Sequence, residues 1–137
     1  MPEKETLRRA RRDKRQGKAP STQAGEFVRE EIHHVREGKH GARSAKQAIA
    51  IGLSKARRAG VKLSAPKRGR ASASTRKKAK QDLAKGRKKS ARAKKPSAKR
   101  SRATTKALRR EPRRAASKKA LSRQAKSARS RPRKKAA

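Results

Sequence analysis

Cysteine, tryptophan and tyrosine are absent from this chain, and phenylalanine and methionine occur once each. Without cysteine there is no disulfide framework, no thiolate zinc site and no mark of an oxidising compartment. With a single aromatic residue, platforms on which unpaired bases could stack are missing, which favours a duplex as nucleic-acid partner and leaves RNA open. Long apolar runs are missing too. The opening MPEKETLRRARRDKR has no stretch of the kind a secretory signal needs, and nothing later could span a bilayer, so the expectation is a cytoplasmic chain without membrane contact.

Acids are the remaining scarcity: 9 Asp or Glu face 48 Lys or Arg in 137 residues, a formal net charge of +39. Internal pairing can neutralise few of those cations. A polyanion is the partner such a charge calls for, and nucleic acid has the required density, whereas an anionic membrane also needs an apolar face beside the cations. Only 29% of the residues are hydrophobic, much of that alanine, and 42% are charged. Such a composition cannot bury enough apolar surface to order every residue.

Three regions follow. Residues 1–20 hold eight Lys or Arg and three acids and read as a basic N-terminal arm, with a short polar helix over Glu3–Gln16 interrupted by Gly17 and Pro20. Residues 21–63 contain nearly all the β-branched and aromatic side chains and are expected to be the folding unit, a helical hairpin. Ser21 or Thr22 caps its first helix, which carries Ala24, Phe27, Val28, Ile32 and Val35 on one side and ends near Gly38; Glu31 interrupts that face. In its second helix, Ser44 and Gln47 make a capping box and Gly60 supplies the stop, with Ala45, Ala48, Ile49, Gly52, Leu53, Ala56 and Ala59 along one face. The small residues there let another helix approach closely. A unit of this size is marginal alone, so a homodimer that pairs two hairpins through Phe27, Ile32, Ile49 and Leu53 is a further expectation.

Residues 64–137 carry 31 Lys or Arg against only Asp82 and Glu111, with Leu83, Leu108 and Leu121 as the large apolar residues. Repulsion between like charges one helical turn apart opposes the helix propensity of Ala, Lys and Arg, so the expectation is a long, disordered basic tail with transient helix. The fold class read from the sequence is therefore mainly α with extensive disorder.

The clusters RKKAK, GRKKSARAKKPSAKRSR, RREPRRAASKK and RPRKK suit phosphate neutralisation along a duplex, with Ala and Ser as flexible spacers. The cations expected to carry it are Lys55, Arg57 and Arg58; Lys67, Arg68 and Arg70; Arg76, Lys77 and Lys78; Arg87, Lys88 and Lys89; Lys94, Lys95, Lys99 and Arg100; Arg113, Arg114, Lys118 and Lys119; and Arg133, Lys134 and Lys135. Through AKKPSAKRSRA the tail resembles linker-histone tails and their bacterial counterparts, which implies duplex binding and compaction, although residues 21–63 cannot make the winged helix of a linker histone. PKRGRA at 66–71 is similar to the core of a minor-groove AT-hook, with Ala71 where that motif has a second proline.

The central block, and SAKQAIAIGLSKARRAG above all, resembles a small bacterial family of uncharacterised basic proteins whose members carry labels such as plasmid stabilisation or DNA-binding protein. That resemblance implies a bacterial host, whereas Lys67-Arg68 followed by RKKAK would pass as a bipartite nuclear signal in a eukaryote. His33, His34 and His40 read as surface ion-pair partners, Glu30 with His34 and His33 with Glu37 lying one helical turn apart, so neither metal nor cofactor is expected. No nucleophile elbow, phosphate loop or metalloprotease motif is present, and the chain is not expected to be an enzyme. The expected function is that of a histone-like, nucleoid-associated protein that binds duplex DNA largely without sequence preference and compacts or bridges it. RNA or ribosome association, and a plasmid-maintenance or antitoxin-like partner module, are the alternatives.

Overall fold

Three helices form the first half of the chain, each closed by a glycine. The computed structural model describes residues 2–87 and 97–130. α1 spans Lys4–Arg15, α2 Pro20–Arg36 and α3 Ala45–Arg58. At α3 the stop has two backbone bonds, Gly60 N–H to Arg57 O at 3.1 Å and Val61 N–H to Ala56 O at 3.1 Å. These require a left-handed residue, which Gly60 supplies at φ +101°. At the other end Gln47 N–H donates to Ser44 Oγ at 3.2 Å, while the Gln47 side chain reaches back to Arg43 N–H at 2.6 Å. The capping box is thus closed one residue earlier than the ideal form. α2 begins differently from the expected Ser21 or Thr22 cap: Ala19 is the boundary residue and Pro20 starts the helix, its ring holding φ in the helical range.

α2 and α3 pack face to face as the expected hairpin, and α1 lies on α2. Ala10, Ala24, Phe27, Ala56 and Val61 form one apolar cluster with Leu7, Leu53 and Leu63 at its margin. Phe27 is almost fully enclosed in it, a burial that stabilises the fold by about 1.5–3 kcal/mol. A second cluster joins Ile32, Val35, Ala42 and Ala48 to Ala115 and Ala116, with Val28 and Leu121 against them. The chain's own α1 and its last third therefore cover Phe27 and Ile32, two of the four residues expected to meet a second copy, while Ile49 and Leu53 are partly buried.

Glu31, which broke the apolar stripe in the sequence, is fully buried. Lys55 Nζ of α3 donates to its Oε1, and His40 Nε2 of the α2–α3 loop stands 3.1 Å from Oε2. The interruption is thus an internal ion pair that ties loop and second helix to the first.

The expectation of a hairpin followed by a long disordered tail is overturned. α4 occupies Ala73–Arg87, α5 Ala98–Arg109 and α6 Lys118–Ser130, with a 3₁₀ turn at Arg114–Ala116 before the last. Serine hydroxyls begin all three helices: Ser72 accepts from Thr75 N–H at 3.2 Å, Ser97 from Arg100 N–H at 3.3 Å and Ser117 from Ala120 N–H at 3.1 Å. Large apolar residues were the wrong measure of whether this region could dock. Alanine and glycine let backbones approach instead: Ala79 and Asp82 of α4 are buried, and a Cβ on Gly86 would stand 2.0 Å from Arg57 O. Gly41 N–H donates to Leu108 O at 2.7 Å and Ala42 N–H to Pro112 O at 3.1 Å, while Arg36 Nε donates to Ala116 O at 2.8 Å. Among the described residues, α5 is exposed except at the partly buried Leu108, and none of its side chains is fully buried.

Candidate nucleic-acid interface

Four of the nine acids are buried where helices and turns meet, which takes them off the surface that the cations share. Asp13, Glu30, Glu31 and Asp82 are buried. Asp13 holds Lys18 Nζ at 3.0 Å across the α1–α2 turn, and Glu26 of α2 pairs with Arg9 of α1 at 3.3 Å. Asp82 accepts from Ser54 Oγ at 2.5 Å and lies 3.9 Å from Arg58 Nε, fixing α4 on α3. Glu3 accepts from His34 Nε2 at 3.0 Å, and that hydrogen bond holds its carboxyl below the usual carboxylate range. With Asp13, Glu30, Glu31 and Asp82 folded inward, few acids are left to offset the exposed cations.

The three cations expected at the end of α3 are engaged within the fold. Lys55 holds Glu31. Arg57 is buried, its Nε 3.2 Å from Leu63 O and its Nη2 3.0 Å from Ser64 O, so it fixes the chain that leaves α3. Burial pushes its guanidinium below the usual value, and the nearby Asp82 charge pulls the other way. Arg58 is half-exposed between Ser54 O and Asp82.

Lys67, Arg68 and Arg70 are exposed on the connection between α3 and α4. That stretch closes as a turn, with Arg70 N–H on Lys67 O at 3.1 Å and Gly69 at φ +89°. Lys77, Lys78 and Arg87 are exposed on α4, while Arg76 is partly buried. Lys99 and Arg100 open α5, Lys118 and Lys119 open α6, and Arg113 and Arg114 lie between, all exposed. Lys88, Lys89, Lys94, Lys95, Arg133, Lys134 and Lys135 lie outside the described residues. Of the expected histidine pairs, His34 lies 3.9 Å from Glu30, while His33 and Glu37 form no ion pair among the described residues.

Two features went unread in the sequence. Arg102, Lys106 and Arg109 recur at four- and three-residue spacing and fall on one side of α5, where with Arg110 they border an open concavity of about 550 Å³. Lys119, Arg123 and Lys126 repeat that spacing on α6. The periodicity was present in the sequence, but in so basic a tail it looks like composition until helices are granted. The second feature is a groove of about 510 Å³ between the start of α3 and α6, into which Arg43, Arg114, Lys119 and Arg123 open. Its wall contains no carboxylate among the described residues, and both α3 and α6 begin there, each presenting the positive end of its dipole.

Over residues 4–68 the chain is similar to the Family of unknown function (DUF6496), a match that takes in α1, α2, α3 and the turn after them, just under half of the length. No curated protein and no solved structure matches the chain. Among the described residues no helix is long and apolar enough to cross a membrane.

Proposed function

We propose that this protein is a histone-like, nucleoid-associated factor that binds duplex DNA through its phosphates, with little sequence preference, and compacts or bridges it. The observation that carries the reading is the acid-free groove of Arg43, Arg114, Lys119 and Arg123 at two helix starts, matched in sign by the cationic stripes of α5 and α6. Phosphates are drawn to that combination of guanidinium, ammonium and helix N-terminus. Phe27, the one aromatic residue, is enclosed in the core, which leaves no stacking platform for single strands. Cations on separate helix faces suit the engagement of two phosphate tracks at once, from which bridging follows.

The test is fluorescence anisotropy of the full chain against two unrelated DNA duplexes, a single strand and a structured RNA at stepped salt. Equal affinity for the two duplexes is expected, with a steep loss on adding salt. Neutralising about ten phosphates predicts a fall of roughly 10⁵-fold between 50 and 200 mM salt. Tighter binding to the RNA at physiological salt would move the reading to RNA, and no binding to any of them in dilute buffer would end it.

A further inference from the structure

We propose that Glu3, Glu30 and His34 form a binding site for a divalent metal ion of the zinc class, and that the ion fastens α1 to α2. The inference is independent of nucleic-acid binding and starts from a buried oxygen that nothing satisfies. Glu30 is buried; its Oε1 accepts the Glu3 backbone N–H at 2.7 Å, while its Oε2 is enclosed and has no hydrogen-bond partner among the described residues. A carboxylate oxygen in that position is costly unless something positive meets it.

The surroundings supply a place for such a partner. Glu3, Glu30 and His34 line a small polar cavity of about 120 Å³, several times the ~30 Å³ that one water occupies in the liquid. One donor atom from each of the three falls within 4.8 Å of the others. His34 Nε2 lies 3.0 Å from Glu3 Oε1 and 3.9 Å from Glu30 Oε1. A tetrahedral zinc ion with bonds of about 2.0–2.2 Å needs its donors roughly 3.3 Å apart, a value that the two His34 separations bracket. Two carboxylates balance a divalent charge, and one imidazole with two carboxylates suits zinc better than magnesium.

The other ring nitrogen of His34 faces a carboxylate, though beyond hydrogen-bond distance. Nδ1 stands 4.0 Å from Oε1 of the fully buried Glu31. A ligating histidine characteristically turns its second nitrogen towards a carboxylate, which sets the tautomer and the ring plane. Glu31, His34 and His40 also cluster, but Lys55 already occupies Glu31 and fills that place. At the Glu3 site the nearest competing cation is Lys39, 3.6 Å from Glu3 Oε1 on an exposed side chain that is free to swing outward; Arg29 and Arg9 also line the cavity, and Arg9 is paired with Glu26. A protonated His34 alone could hold Glu3, whereas a divalent ion would bring its charge to the buried Glu30 carboxylate as well.

The experiment uses the full-length chain, freed of nucleic acid and treated with chelator, and reads calorimetric titration and thermal melting with Zn²⁺, together with the visible spectrum on adding Co²⁺. One zinc per chain, a raised Tm, tetrahedral cobalt bands and no competition from Mg²⁺ are expected. Glu3→Gln, at a site near the surface, should weaken zinc by about 100-fold and remove the bands. His34→Ala should do the same, while His33→Ala leaves both intact. An unchanged melt and no saturable heat in the natural chain overturn the proposal. So does zinc binding that survives Glu3→Gln and His34→Ala together, since the ion would then be held elsewhere.

Discussion

A Cβ on Gly52 would stand 2.6 Å from the Cα of Val28, closer than such atoms approach in any packed interior. The hairpin is therefore built on backbone-to-backbone packing at this point. Gly52→Ala would add helix propensity of up to ~1 kcal/mol, yet the methyl meets backbone that cannot rotate away. Forcing α2 and α3 apart costs about 1–3 kcal/mol, and the overpacking effect wins. A lowered Tm with little loss of helix by circular dichroism is the expected outcome.

Glu31 and Lys55 make a second joint of the same two helices, and here charge is the issue. Removing one partner leaves the other uncompensated, at a cost of about 3–5 kcal/mol. Lys55→Met alone should destabilise by that order in urea melts. The double substitution Glu31→Leu with Lys55→Met should recover most of the loss, because neither charge then remains inside. His40 meets the other oxygen of Glu31.

Docking of the last third of the chain turns on Gly41. A Cβ there would lie 1.7 Å from Glu111 O, so Gly41→Ala must push the segment before the 3₁₀ turn away. The bonds from Gly41 to Leu108 and from Ala42 to Pro112 open with it. A local cost of about 1–3 kcal/mol corresponds to hydrogen exchange faster by roughly 5- to 150-fold at those two amides. Exchange within α1 should stay unchanged, and a uniform acceleration along the chain would contradict local undocking.

α5 allows charge to be separated from fold. Because none of its residues is buried, Arg102, Lys106, Arg109 and the following Arg110 can be changed together to Gln without opening a cavity. The melt should be unaltered while duplex affinity falls. The slope of log affinity against log salt should shrink by about 0.9 for each phosphate that these side chains no longer neutralise. Equal affinity and slope would show that DNA tracks other faces of the molecule.

Much of the first half was legible in the sequence. The hairpin, its Ser44 cap, its Gly60 stop and the small-residue stripe through Gly52 all follow from rules that act within one or two helical turns. Glu31 was visible as an anomaly in an apolar stripe, but its resolution depends on Lys55, 24 residues later. The tail was misread for a related reason. Its serine caps are local signals and could have been found at Ser72, Ser97 and Ser117. What could not be seen is that Ala79, Ala115 and Ala116, weak as hydrophobes, are nonetheless buried, the last two in one cluster with Ile32, Val35, Ala42 and Ala48.

Net charge, the scarcity of acids and the starts and stops of helices were determined by the sequence alone, because each depends on composition or on neighbours within a few residues. Which acids are buried, which lysines are engaged and where an acid-free groove opens were decided only by tertiary structure. Lys55, Arg57 and Lys119 are indistinguishable as cations along the unfolded chain. Packing holds the first on a buried carboxylate and the second on backbone carbonyls, and leaves the third facing water. Electrostatic interaction depends on distance and on burial, and neither exists until the chain has folded.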